Sequence, residues 1–297
     1  MPKSKVIPYL EVTFAVVVWG ATFIATKIAL REVSPATIVW LRFAMGTAIL
    51  GAVVIARRQF ALPEKREWLY LVMLGFIGVT FHQWLQATGL QTAKATTTAW
   101  IVATTPVFIA LLGWLALKEK LNWVQTGGIA VAAFGVLLIV SKGNFSALFA
   151  GEEGTFGDLL IFISALNWAV YTILSRRELA RHPAARMMFF VMLLGWLFTN
   201  IWIFGFGPGT SEIKNLTSSG WNAVLVLGVF GSGLAYIAFY DALQAIPASQ
   251  LGAFFNIEPL VTALLAAFMI NEAITAVSLI GGAIIILGVW LVNRKGK

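Results

Sequence analysis

Cysteine is absent from the chain, histidine occurs only twice, and charged residues make up 11% of its 297 positions. Without cysteine there are neither disulfides nor thiolate metal sites, and thiols report nothing about redox compartment. HExxH, Walker A and GxSxG patterns are missing, which removes the usual material for zinc hydrolysis, nucleotide-driven work and serine chemistry. No metal, cofactor or enzymatic role is expected. The ten-residue alternation of a transmembrane barrel is missing as well. What fills the chain is apolar: 59% hydrophobic residues with a mean hydropathy of +0.86, leaving too little polar surface to coat a soluble globule of this size. The fold class expected is an all-α polytopic membrane protein. The net charge of +8 does not point to nucleic acid, because the basic residues lie in short loops and no soluble basic domain carries them.

A helix needs roughly 20 apolar residues to cross the hydrocarbon core. Ten such runs are present, near 9–30, 35–56, 68–88, 95–117, 121–140, 157–175, 185–206, 219–241, 248–270 and 274–293. The first continues past Trp19 to about Leu30 without a small-x-small cleavage site, so it is read as a retained span rather than a signal peptide. Counting Lys and Arg in alternate connections gives fifteen on the side of both termini and four, Arg31, Lys94, Lys142 and Lys214, on the other. By the positive-inside rule both termini are cytoplasmic.

Shifting the sequence by 153 pairs Trp68 with Trp221, Gly75 with Gly228, Gly78 with Gly231, Pro106 with Pro259, Glu119 with Glu272 and Gly135 with Gly288. At a slightly shorter offset Trp19 pairs with Trp168 and Lys27 with Arg176. The chain therefore reads as one membrane domain of two related five-helix halves, 9–141 and 157–293. Because five is odd, the second half enters the membrane upside down. Inverted repeats of this kind characterise secondary transporters, with substrate held near the midplane between the halves.

"VVWGATFIATKIALREVSPATIVWLRFAMGTAIL", "PVFIALLGWLALKEKLNWVQTGGIAVAAFGVLLI" and "EPLVTALLAAFMINEAITAVSLIGGAIIILGVWLV" resemble the EamA repeats of the drug/metabolite transporter superfamily over nearly the whole chain. Within it, the sequence resembles the bacterial YddG-type exporters of aromatic and other amino acids. That resemblance implies ten helices around a central cavity, an amino-acid substrate, and a place in the bacterial inner membrane. It also implies alternating access without ATP; carriers of another small metabolite or of a cationic drug are the rival within the fold. A monomer would suffice, and oligomers stay open.

Candidate cavity residues follow from polarity inside apolar runs. His82 and Gln86 are four apart on one helical face, with Gln83 beside them; either they glue helices together or they line a wet cavity and hydrogen-bond substrate. Trp19 and Trp168 lie mid-span at matched positions, away from the interfacial belt that Trp68, Trp123 and Trp221 fit. With Trp100, Tyr171, Tyr236 and Asn256 they are expected to form walls and anchors. The Thr-rich run 92–108 and its counterpart with Ser249, Gln250 and Asn256 are expected to border the wet centre. Pro106 and Pro259 are expected to bend their helices. Glu258 has Thr105 as its counterpart and serves either coupling or the bend itself. Glu119 and Glu272 are expected to cap the helices that follow them. Lys27 and Arg42 are expected near span ends, snorkelling or pairing with Glu32, with a substrate carboxylate as the alternative partner; Asp241 is placed at an interface and His182 in a solvated loop.

Overall fold

In a bilayer every backbone polar group must be satisfied within the protein, so apolar runs of this length fold as helices. The structure, a computed structural model, describes residues 6–117, 121–149, 153–179, 181–245 and 254–294, and no strand occurs among them. The helices are α1 (Ile7–Ala29), α2 (Pro35–Ala56), α3 (Trp68–Gly89), α4 (Ala95–Val102), α5 (Thr105–Leu117), α6 (Trp123–Val140), α7 (Phe156–Leu179), α8 (Ala184–Gly205), α9 (Ser218–Ala245), α10 (Ile257–Met269) and α11 (Ala276–Asn293). Among the described residues nine helical stretches are long and apolar enough to span, with α4 and α5 together forming one of them. The expected run 248–270 is described only from residue 254 and contains the 13-residue α10. Large apolar side chains such as Leu69, Phe134, Phe268 and Trp290 cover the outside, as a lipid-facing surface requires.

Local chemistry starts these helices. Pro35 occupies the first turn of α2 and Ser34 caps it, using a position where the missing N–H costs nothing. Asn122 and Gln125 form a reciprocal capping box on α6, and the Thr275 hydroxyl accepts from the Ser278 N–H on α11. Glu272 therefore does not cap the helix that follows it. Its carboxylate instead reaches α4, accepting from the Ala95 and Thr96 N–H groups at 3.0 Å each and from the Thr96 hydroxyl. Glu119, Ser249 and Gln250 lie outside the described residues, as does the side chain of Arg176.

The spans are also less regular than their hydropathy predicts. α3 contains a π-helical segment, Phe76–Phe81, with one glycine, and α9 a longer one, Val226–Leu234, with three; both depart from the regular α-helical ladder. The run 95–117 breaks outright at Ala103 and Thr104, and a turn at residues 255–256 precedes α10. Pro106 and Pro259 do not sit at the middle of a bend. Each lies in the first turn of the segment after the break, where proline is tolerated and the preceding turn is free to unwind.

Packing interleaves the two halves of the chain. α1 packs against α9 and α10, while α7 packs against α3, α4 and α5. The tightest pairing joins α6 to α11 through glycines: a Cβ at Gly128 would lie 2.8 Å from the Gly288 carbonyl oxygen, and one at Gly135 would lie 2.9 Å from that of Gly281. Small residues let the backbones approach, which is the main source of helix affinity where no hydrophobic effect acts.

One end of the bundle carries a polar clasp. Arg57 and Asp241 form a bidentate pair at 2.7 and 2.6 Å. His182 is not a solvated loop residue; its Nε2 lies 2.8 Å from Glu67, whose side chain is 8% exposed. Arg186 donates to the carbonyls of Ala61 and Leu62. Burial opposes ionisation of Glu67, but the Glu64 N–H, the His182 imidazole and Arg186 outweigh it and hold the carboxyl below its ordinary 4.5.

Two outcomes follow. Gly288→Leu is expected to cost about 1–3 kcal/mol through overpacking and to lower the melting temperature in detergent. Gly127→Leu, where an added Cβ meets nothing within 4 Å, should leave that temperature unchanged. Glu67→Gln should also melt below wild type at pH 7. Since the folded-state pKa of Glu67 is depressed, its contribution exists above the ordinary value and disappears as pH falls through the lowered one. The gap between the two melting curves should therefore close on acidification below about 4.5.

Candidate functional site

Where the interrupted helices meet, side chains line a small, partly open cavity of about 60 Å³. It is lined by Trp19, Thr22 and Phe23 of α1, Arg42 of α2, His82, Gln83 and Gln86 of α3, Val102 at the end of α4, Ala165 and Trp168 of α7, Tyr236 of α9, Phe255 and Glu258. That volume is well below the roughly 300–1,000 Å³ of a pocket for a drug-sized ligand. Two wider basins, of about 450 and 680 Å³, open at the end away from the polar clasp, where Lys27, Arg31, Lys94, Asn271 and Glu272 lie.

The π segments supply hydrogen-bond acceptors to the site. Trp19 Nε1 donates to the Gly231 carbonyl at 3.1 Å, and Asn167 Nδ2 donates to the Ile77 carbonyl at 2.8 Å. Each bond ties the π segment of one half to a helix of the other. Near the α10 break, the Thr262 hydroxyl lies 2.9 Å from both the Gly20 and the Glu258 carbonyls. The walls are aromatic: Trp19 packs on Tyr236, Phe239 and Phe255, and Trp168 packs on His82 and Tyr171 with centroids 4.8 and 5.0 Å away. His82 Nδ1 lies 3.2 Å from the Ser164 carbonyl. A carbonyl only accepts, so that contact puts the proton on Nδ1 and leaves Nε2 as an acceptor.

Arg42 contributes most to the electrostatics. It lies seven residues into α2, about 10 Å along the helix axis, and is 6% exposed. Its Nε donates to Ser232 Oγ at 3.0 Å and its Nη1 to Gln83 Oε1 at 2.8 Å. Glu258, also 6% exposed, lines the same cavity from the first turn of α10.

Comparison with known proteins places this architecture. The profile of the EamA-like transporter family matches residues 7–141 and again 155–294. The chain belongs to the EamA-like transporter family. It is 31% identical over 287 residues to an uncharacterized transporter of Archaeoglobus fulgidus, covering 97% of both chains. It is 27% identical to the uncharacterized transporter YyaM of Bacillus subtilis, covering 91% of this chain and 88% of that one. A solved crystal structure at 20% identity superimposes with a TM-score of 0.69 over 97% of this chain and 99% of its own, a likeness of fold. As a member of a membrane transporter family the protein works in a lipid bilayer on a small-molecule substrate.

In this EamA-like chain the residues expected at the cavity divide into two groups. Trp19, His82, Gln86, Trp168, Tyr236 and Glu258 line it. Trp100, Tyr171 and Asn256 do not. Trp100 turns to the opposite face of α4 and fills the space that a side chain at Gly282 of α11 would need. Tyr171 is buried beside Gly78, with its hydroxyl 3.5 Å from the Met188 sulfur. Asn256 precedes α10 outside the lining. Thr98, Thr104 and Thr105 are buried but lie outside the cavity lining, and their hydroxyls are satisfied on carbonyls three or four residues back.

Arg42 was expected near a span end with Glu32, but Glu32 instead accepts from the Thr217 N–H and hydroxyl, both at 2.7 Å. The usable signal was depth: an arginine a third of the way along a 22-residue apolar helix cannot snorkel out and must find partners inside.

Trp19→Phe keeps an aromatic ring but removes the indole donor, taking the side-chain bond from the Gly231 carbonyl. A buried acceptor left unmade costs about 1–3 kcal/mol, so this variant should melt several degrees below wild type in detergent.

Proposed function

We propose that this EamA-family chain is a secondary carrier that exports amino acids, preferring aromatic or bulky neutral ones, across the cytoplasmic (bacterial inner) membrane by alternating access. In this reading ten helices form two inverted repeats, 9–141 and 157–293, with α10 and the residues before it as the ninth crossing and both termini cytoplasmic. Support comes from the family profile matching twice and from the π segments and helix breaks, which recur close to the 153-residue shift. The glycines add to it: Gly128 and Gly135 are counterparts of Gly281 and Gly288 at that shift, and each meets the other's counterpart, as a twofold axis would require.

The observation that carries the transport reading is the cavity, buried where helices of both halves meet and walled by Trp19, Trp168 and Phe255 around Arg42, Gln83 and His82. Flat apolar walls with a few convergent polar groups suit a small bulky solute. A cationic drug is the poorer fit because it would meet Arg42. One chain encloses the cavity, so a monomer suffices, and transport down a substrate gradient needs no nucleotide site. Export as the direction rests on the resemblance to amino-acid exporters. The cavity must widen to accept such a solute, which interleaved halves with broken helices at their centre can do by shifting α4, α10 and their neighbours.

Proteoliposomes loaded with labelled phenylalanine or tryptophan should release it in a protein-dependent way. Trp168→Ala and His82→Ala should slow that release about tenfold, the effect of roughly 1.4 kcal/mol of lost stabilisation, with folded protein retained. Equal leak with and without protein would exclude the amino-acid reading.

A further inference from the structure

Arg42 and Glu258 are the guanidinium and the carboxyl of the cavity, the two side chains there able to carry full charges of opposite sign, and neither is paired with an opposite charge among the described residues. The Arg42 guanidinium has five N–H donors and spends two on neutral acceptors, Ser232 Oγ and Gln83 Oε1, besides lying against the Phe43 ring. No carboxylate pairs with it among the described residues. The carboxylate of Glu258 has neither hydrogen bond nor ion pair there. Although they share a cavity, the two do not bridge each other. Their helices, α2 and α10, belong to different halves of the chain. A buried charge without a partner is costly, and the first-turn position of Glu258 at a helix dipole offsets only a small part of that cost. Two such costs of opposite sign in one cavity are both relieved by a ligand that carries one charge of each sign.

We propose that the cavity is a zwitterion site in which Arg42 receives the substrate's carboxylate and Glu258 its ammonium group. This rests on the small-solute carrier reading above and sharpens it. Planar guanidinium donors with three N–H groups to spare match a carboxylate in the bidentate mode. His82 Nε2 and Gln86, on the helix face beside Gln83, are placed to take further N–H groups of the ligand, and Trp19 and Trp168 flank the remainder. Selectivity follows from the charge count. A free amine leaves Arg42 unpaired and a free acid leaves Glu258 unpaired, so each analogue lacking one group is rejected far more strongly than its lost contact alone would imply.

The test measures binding separately from transport. Intrinsic tryptophan fluorescence of the purified full chain, to which Trp19 and Trp168 beside the cavity contribute, is titrated with phenylalanine, alanine, phenethylamine and 3-phenylpropionate, and phenylalanine flux is measured in parallel. Phenylalanine and alanine are expected to bind, and the amine and the acid to bind at least about 100-fold more weakly than phenylalanine. Glu258→Gln should narrow the gap between phenylalanine and 3-phenylpropionate about tenfold, and Arg42→Gln should do the same for phenethylamine. The wild-type panel decides the matter even if a variant fails to fold. Phenylalanine flux with equal binding of the amine or the acid would overturn the charge pair and leave the carrier reading intact. Zwitterion-selective binding without flux would uphold the pair and overturn amino-acid transport, and absence of zwitterion binding would overturn the proposal.

Discussion

Backbone satisfaction in a medium without water is the constraint on which the rest of this structure depends. Straight helices meet it unaided, but α3, α9 and the α4–α5 and α10 segments are interrupted, and each interruption releases carbonyls that must find donors. Trp19 and Asn167 donate to carbonyls of the two π segments from helices of the other half, and the Thr262 hydroxyl ties α10 to the Gly20 carbonyl of α1. The irregular turns are therefore tied to partners across the bundle, and the place where these ties converge is the cavity.

Glycine does the complementary work. At α6 and α11, and again where Gly75 of α3 meets Gly195 of α8, missing side chains let backbones touch, and dispersion between close helices substitutes for a hydrophobic effect that lipid does not provide. Interleaving of α1 with α9 and α10, and of α7 with α3 to α5, means that neither half encloses the cavity alone. Displacement of one half would change the cavity walls on both sides, a geometry suited to gating and poorly suited to a rigid scaffold.

Polar residues of the bundle sort by what they can reach. Glu32, Glu67, Glu272 and Asp241 are held by hydroxyls, backbone N–H groups or cations near helix ends. Arg42 and Glu258 are too deep for that, and what they reach is the cavity. Charge at this depth in a membrane protein marks function more often than stability.

Much of this was legible in the residues themselves. Hydropathy alone determined the all-helical class and nearly every span, because twenty apolar residues in lipid have one cheap conformation. The polar positions His82, Gln86, Trp19 and Trp168 were recoverable from helical spacing and internal pairing. Which face of a helix turns inward was not. Trp100 lies in the same Thr-rich run as cavity-lining Val102 yet packs against Gly282, and Arg42 turned from a supposed interfacial residue into the centre of the site. Helix breaks were read as bends because proline marks the position of a weakness without stating how far the preceding turn unwinds. Sequence by itself determined composition and the apolar crossing segments, both properties of local pattern. Tertiary structure alone decided which charges lack partners, because pairing depends on rotation and depth of helices distant in sequence, and no local pattern encodes those.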